Sequence, residues 1–148
     1  MSNMSKPKEI LINITNHPSN QFTKEMKTYV EEKYAKVIDI PYPHISKEMG
    51  DNDLHNLVNQ LVYEVEHWVA SLIKGTKVLH LDVSTCGEFG LTWLLVNKLK
   101  ELAEWYAKVN DKFIDMAVVY PTNEREVVDR GEGKQTHLFK FYGFRRYL

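Results

Sequence analysis

The chain has 148 residues, 43% of them apolar and 26% charged, a composition typical of one soluble globular domain that closes its core without disulfides or a structural metal. A formal net charge of -1 supplies no global basic field, which disfavours binding to long duplex nucleic acid. The apolar stretches are too short to span a bilayer, and the start MSNMSKPKE has no signal-peptide core. With a single cysteine, Cys86, this predicts a cytoplasmic protein without a membrane segment.

Residues 1–8 read as a flexible, polar N-terminus. Glu9 to Thr15, EILINIT, is a β-branched run that ends in the turn-forming Asn16-His17-Pro18-Ser19. From about Gln21 to Tyr34 the apolar residues Phe22, Met26, Tyr29, Val30 and Tyr34 fall mostly three or four apart, which suits an amphipathic helix. Val37 to Ile40 reads as a second strand, stopped by Pro41 and Pro43, with a loop through Gly50. Asp51 or Asn52 then caps a long helix with a broad apolar face from Leu54 to Leu72, ended by Gly75.

Lys77 to Val83, KVLHLDV, predicts a third strand, followed by the loop Ser84-Thr85-Cys86-Gly87-Glu88 and a helix from about Phe89 to Lys108. Phe113 to Tyr120 predicts a fourth strand. In the tail, Glu126 to Asp129 and Thr136 to Phe141 flank Gly131-Glu132-Gly133 as a hairpin. Strands alternating with helices imply an α/β fold: a single Rossmann-like domain over 1–148, with a mostly parallel central sheet flanked by helices and a C-terminal antiparallel hairpin.

In such sheets ligands bind beyond the carboxyl ends of the strands, where helix N-termini offer amide donors to anions. Three loops qualify. The first gathers Thr15, Asn16, His17 and Ser19, which also suit turn shaping and helix capping. The second holds Ser84, Thr85, Gly87 and Glu88, whose small residues would let a phosphate reach the helix amides, although Glu88 is also a dipole-favoured acid. The third, from Pro121 to Arg125, offers Thr122, Asn123 and an Arg125 guanidinium suited to bidentate phosphate contact, against the plain alternative of a solvated turn. Lys134 adds a cation that either joins the pocket or solubilises an edge.

The histidines show no HxH or HExxH spacing, and no GxSxG, GxGxxG or Walker lysine is present, so no metal and no cofactor is expected. Cys86 follows a strand near a helix start, which can activate a thiol, yet no base is assigned to it.

The segments LINITNHPS, VIDIPYP, GEFGLTWLLVNKL and TNEREVVDRGEGKQTHLFKFYGFRRY resemble a small group of Csx-type, CRISPR-associated Rossmann fold (CARF-like) proteins. That resemblance implies a homodimer of a type III CRISPR antiviral pathway that binds a cyclic oligoadenylate messenger, and in some members cuts it as a metal-independent ring nuclease. It places ligand contacts around Asn16, His17 and Ser19, around Gly87 and Glu88, and around Thr122 and Arg125. For cleavage, His17 or Arg125 would move a proton or stabilise charge. Two other readings remain open: a protein-binding scaffold that uses the aromatic tail Phe139, Phe141, Tyr142, Phe144 and Tyr147, and a nucleotide-processing enzyme outside immunity.

Overall fold

The computed structural model describes residues 8–109 and 112–148, with only the backbone described at 8, 125, 126, 128 and 136–139. The segment read as a flexible N-terminus therefore lies, apart from Lys8, outside the described residues. The elements run β1 (Lys8–Thr15), α1 (Lys24–Lys33), β2 (Lys36–Asp39), α2 (Asp51–Leu72), β3 (Val78–Cys86), α3 (Phe89–Val109), β4 (Phe113–Asp129) and β5 (Gln135–Arg146).

They build one five-stranded sheet of order β2-β1-β3-β4-β5, parallel except for β5. The β1–α1–β2 connection steps to one side of β1 and β2–α2–β3 returns to the other. The chain direction thus reverses between β1 and β3, which makes their carboxyl ends the topological switch point. The two strands run side by side from Lys8↔Leu79 to Thr15↔Cys86.

Periodicity explains the layers. Val58, Leu61, Val65, Val69 and Leu72 recur at helical spacing and are buried along α2, as are Leu91, Leu95 and Leu99 along α3. Both stripes pack on Ile10, Ile12 and Ile14 of β1, Leu79, Leu81 and Val83 of β3, and Ile114, Met116 and Val118 of β4. The alternate residues of β1 face the opposite side, where Leu11 meets Phe22, Val30 and Tyr34 around α1. A central parallel strand covered on both faces is apolar almost throughout, which is the pattern of EILINIT.

Several expected boundaries move. Helix α2 is capped from Gly50, whose amide donates to the Asp53 carboxylate at 2.9 Å, rather than by Asp51 or Asn52. Thr23 caps α1, its hydroxyl accepting from Met26 N, while Ser19 begins a short 3-10 turn. The larger correction concerns the third predicted loop: β4 does not stop at Tyr120 but runs on to Asp129. Its neighbour β3 ends, yet antiparallel pairing with β5 from Val119↔Arg146 to Asp129↔Gln135 satisfies its backbone. The hairpin is therefore a two-stranded ribbon continuous with the sheet, kinked by an irregularity at Thr122/Asn123 where Gly143 sits at φ 114°.

Candidate functional site

At the end of β1, Asn13 is only 2% exposed although it is polar. Its amide donates to the His17 carbonyl and to Asp39 Oδ1, both at 2.9 Å, and its Oδ1 accepts from the Thr15 hydroxyl at 3.0 Å. Asp39, the last residue of β2, also accepts from the Ser19 amide and hydroxyl. Four polar side chains are thereby spent on folding the first loop back over the strand ends. Thr15 and Ser19, expected as ligand contacts, belong to this internal network. Asn16 and His17 are exposed on the same turn, with Asn16 beside a cavity of about 250 Å³.

The second loop begins later than its composition suggests. Ser84 and Thr85 lie inside β3, 1% and 0% exposed, where they pair with Asn13 and Ile14. Their hydroxyls have no hydrogen-bond partner among the described residues, while the Thr85 carbonyl accepts from the Tyr147 phenol at 2.7 Å. Only Gly87 and Glu88 form the exposed turn. Glu88 turns its carboxylate onto its own helix, accepting from Gly90 N at 2.9 Å and Leu91 N at 2.8 Å. The amides expected to cradle a phosphate are thus already bound to a fixed negative charge, which opposes a second anion there. With Asp53 at the start of α2, both long helices that open at this end carry their own acid.

Thr122 and Asn123 lie in the strand extension, where Thr122 donates to the Gly143 carbonyl at 2.8 Å. They border a second cavity of about 550 Å³ with Tyr120, Tyr142 and Arg145. Arg125 pairs with Phe139 through the backbone register, and its side chain lies outside the described residues. Lys134 sits in the exposed turn at the ribbon tip, roughly 25 Å along the ribbon from Thr122 at strand rise, so it does not join the other loops.

The largest of these cavities, about 800 Å³, opens between the start of α3 and the C-terminus. Gly87, Phe89, Trp93, Lys100, Tyr147 and Leu148 are among its lining residues. Phe89 is 92% exposed and Trp93 68%, one helical turn apart, so two aromatic planes face solvent beside the switch point. Cys86 also lines this cavity, and burial pushes its thiol pKa up, which keeps it protonated and argues against a nucleophilic role. Among the described residues no group of three or more His, Cys, Asp or Glu side chains converges as a metal site, and no helix is long and apolar enough to cross a membrane.

A family model matches residues 9–145, that of the Uncharacterized protein MJ1673 family. The chain belongs to this family. The match runs from the first strand to the end of the ribbon, so the whole sheet, the switch point and the β4–β5 extension lie within the MJ1673-family unit. No curated protein and no solved structure matches the chain significantly.

Sequence reasoning passed over Asn13, Asp39, Tyr42 and Trp93, and read Tyr147 as part of an aromatic tail. The one available signal was Asn13 itself, a lone amide in an apolar strand that must find partners if buried. The aromatic tail proposed as a sticky surface is largely consumed by packing. Phe141 is buried and lies edge-on to Tyr29 at 5.3 Å, Phe144 contacts Tyr29 and Tyr34, and Tyr147 lies tilted against Tyr120 at 4.7 Å. Tyr142 remains exposed, and the Phe139 side chain lies outside the described residues.

Proposed function

We propose that this MJ1673-family chain is a homodimeric receptor for a cyclic oligoadenylate of a type III CRISPR pathway, bound at the carboxyl ends of β1 and β3. The observation that carries the reading is the pairing of an 800 Å³ cavity at the switch point with the exposed rings of Phe89 and Trp93. Aromatic planes hold nucleobases by stacking, worth about 1–3 kcal/mol per base. Because Glu88 fills the α3 amides, the phosphates meet Lys100 and Arg145 instead. A two-fold dimer with facing strand ends would offer each half of a symmetric ring the same contacts.

The same site would support metal-independent ring opening. A ribose 2′-hydroxyl attacks its adjacent phosphorus and the bond to the 5′-oxygen breaks, leaving a 2′,3′-cyclic phosphate and a 5′-hydroxyl. The exposed His17 imidazole takes the proton from the 2′-hydroxyl, and an acid or water returns one to the leaving oxygen. Arg125 would stabilise the phosphorane charge.

Calorimetry with cyclic tri-, tetra- and hexa-adenylate tests the binding. Heat and a rise in melting temperature with one ring size, lost in a Phe89→Ala/Trp93→Ala double variant, support the reading; no heat and no melting shift well above micromolar ligand overturns it. Chromatography of the incubated ring tests cleavage, and turnover unchanged in His17→Ala removes that residue's role.

A second reading is favoured by the same exposed rings: Phe89, Trp93 and Leu148 form an apolar surface of the kind used to dock a protein. Substitutions at Asn16 and His17 would abolish small-ligand binding under the first reading and leave partner capture intact under the second.

A further inference from the structure

The register of the β4–β5 ribbon skips one residue. Thr122 pairs with Gly143 and Asn123 with Phe141, so Tyr142 is inserted between their partners as the extra residue of a β-bulge. Gly143 sits at φ 114°, where a side chain would be strained, and glycine is what lets β5 bend at this point. A bulge re-aims a side chain. Phe141 stays packed edge-on to Tyr29, whereas Tyr142 is 55% exposed and lines the 550 Å³ cavity.

The rest of that cavity is rich in polar groups. Tyr120 and Arg145 stand opposite one another in the ladder, share one face of the ribbon and both line the cavity. Arg145 is exposed, and among the described residues its guanidinium makes no ion pair. Lys140 Nζ lies 5.6 Å over the Tyr142 ring as a second cation, and Glu124 of the cavity stands opposite Lys140 in the ladder. An aromatic ring beside a guanidinium is the combination that takes a base and its phosphate together. Tyr147 joins this cavity to the larger one: it lines the 800 Å³ cavity, and its ring lies 4.7 Å from that of Tyr120. The Tyr120–Tyr147 pair is thus a wall common to both.

We propose that the 550 Å³ cavity is a second nucleotide subsite, in which Tyr142 stacks on a base and Arg145 holds the phosphate that links it to a nucleotide in the larger cavity. This inference rests on the nucleotide part of the reading above and extends it: one protomer engages two bases of a single phosphodiester-linked chain, one on each side of the tyrosine wall. Stacking tolerates every base, so the subsite reads the length of the chain rather than its sequence. With the first base bound, engagement of the second is intramolecular, and a chain of several units binds more tightly than a mononucleotide.

The test is calorimetry of the full chain and its Tyr142→Ala and Tyr142→Phe variants with adenosine monophosphate and with linear triadenylate. The parent should bind the triadenylate about tenfold or more tighter than the monophosphate. Tyr142→Ala should lose that gain and keep monophosphate binding within about twofold, while Tyr142→Phe, which retains the ring, should keep the gain. A parent with no such gain overturns the subsite, as does a gain that survives in Tyr142→Ala or is lost in Tyr142→Phe. Should the alanine variant fail to fold, ring-labelled Tyr142 in the unaltered protein decides: its resonances move upfield on saturation with triadenylate, and resonances that stay in place overturn the proposal. If cyclic oligoadenylates do not bind but the Tyr142-dependent gain is found, the subsite stands and the ring ligand falls. If they bind and the gain is absent, the subsite alone falls. If neither linear nucleotide binds, the subsite falls whatever the rings do.

Discussion

The carboxylate of Glu88 accepts the Leu91 amide at 2.8 Å, and with the Gly90 amide it closes the first turn of α3 from the inside. A helix start that faces the switch point would ordinarily be the anion site of the fold. Here the chain supplies that anion itself, and under the proposed reading recognition would shift from helix amides to aromatic faces and side-chain cations.

Glu88→Ala should therefore have two opposed effects. Loss of the cap destabilises the protein by about 1 kcal/mol, seen as a lower melting temperature in salt-free buffer. The vacated amides become an anion site, so added phosphate should raise the melting temperature of the variant more than that of the parent. Equal phosphate responses would show that the cap does not control anion access.

Asn13→Ala removes a buried hub that ties the His17 carbonyl to the Asp39 carboxylate. Leaving those acceptors short of a donor costs about 1–3 kcal/mol. Urea denaturation should show a lower midpoint with an unchanged slope, and backbone amide exchange should quicken at residues 15 to 19. A variant with parental exchange there would show that the network is not what orders the loop.

Leu95 is fully buried between α3 and the sheet. Leu95→Ala should cost about 2–5 kcal/mol through lost transfer energy and the cavity left behind. The expected measurement is a large fall in melting temperature with an unaltered far-ultraviolet spectrum below the transition.

Alkaline pH should loosen the fold through its phenols. Burial raises Tyr147, with nearby Cys86 adding to it, to about 12 from an unfolded value of 10.0, and burial raises Tyr106 to about 12. A raised folded value favours the neutral, folded form, so this contribution is whole below pH 10.0 and is lost as pH climbs to about 12. Phenolate absorbance should report both groups titrating late. Tyr147→Phe, which also frees the Thr85 carbonyl, should lower stability at neutral pH and flatten its decline above pH 10.0.

The order of elements and the apolar face of each helix were legible in the chain because burial imposes periods: Val58, Leu61, Val65 and Val69 repeat at helical spacing, and Ile10, Ile12 and Ile14 alternate. The choice of the strand ends as the candidate site followed from that order alone. Its residues did not. Thr15, Ser19 and Glu88 look like free polar groups in a string of letters, yet each is spent on a partner within the protein.

Local pattern by itself determined the α/β class, the parallel sheet, the lone unpaired cysteine and the lack of any standard metal or Walker motif, since each depends only on nearby residues or on composition. Tertiary structure decided the rest. Antiparallel partnership with β5 carried β4 past Tyr120 as a ribbon, and residues as far apart as Asn13 and Asp39, or Tyr42 and Gly87, met only because parallel pairing sets the ends of β1, β2 and β3 side by side. A hydrogen bond between distant segments leaves no periodic trace in either one, so folding had to reveal which polar groups were already occupied and which rings still faced the open cavity.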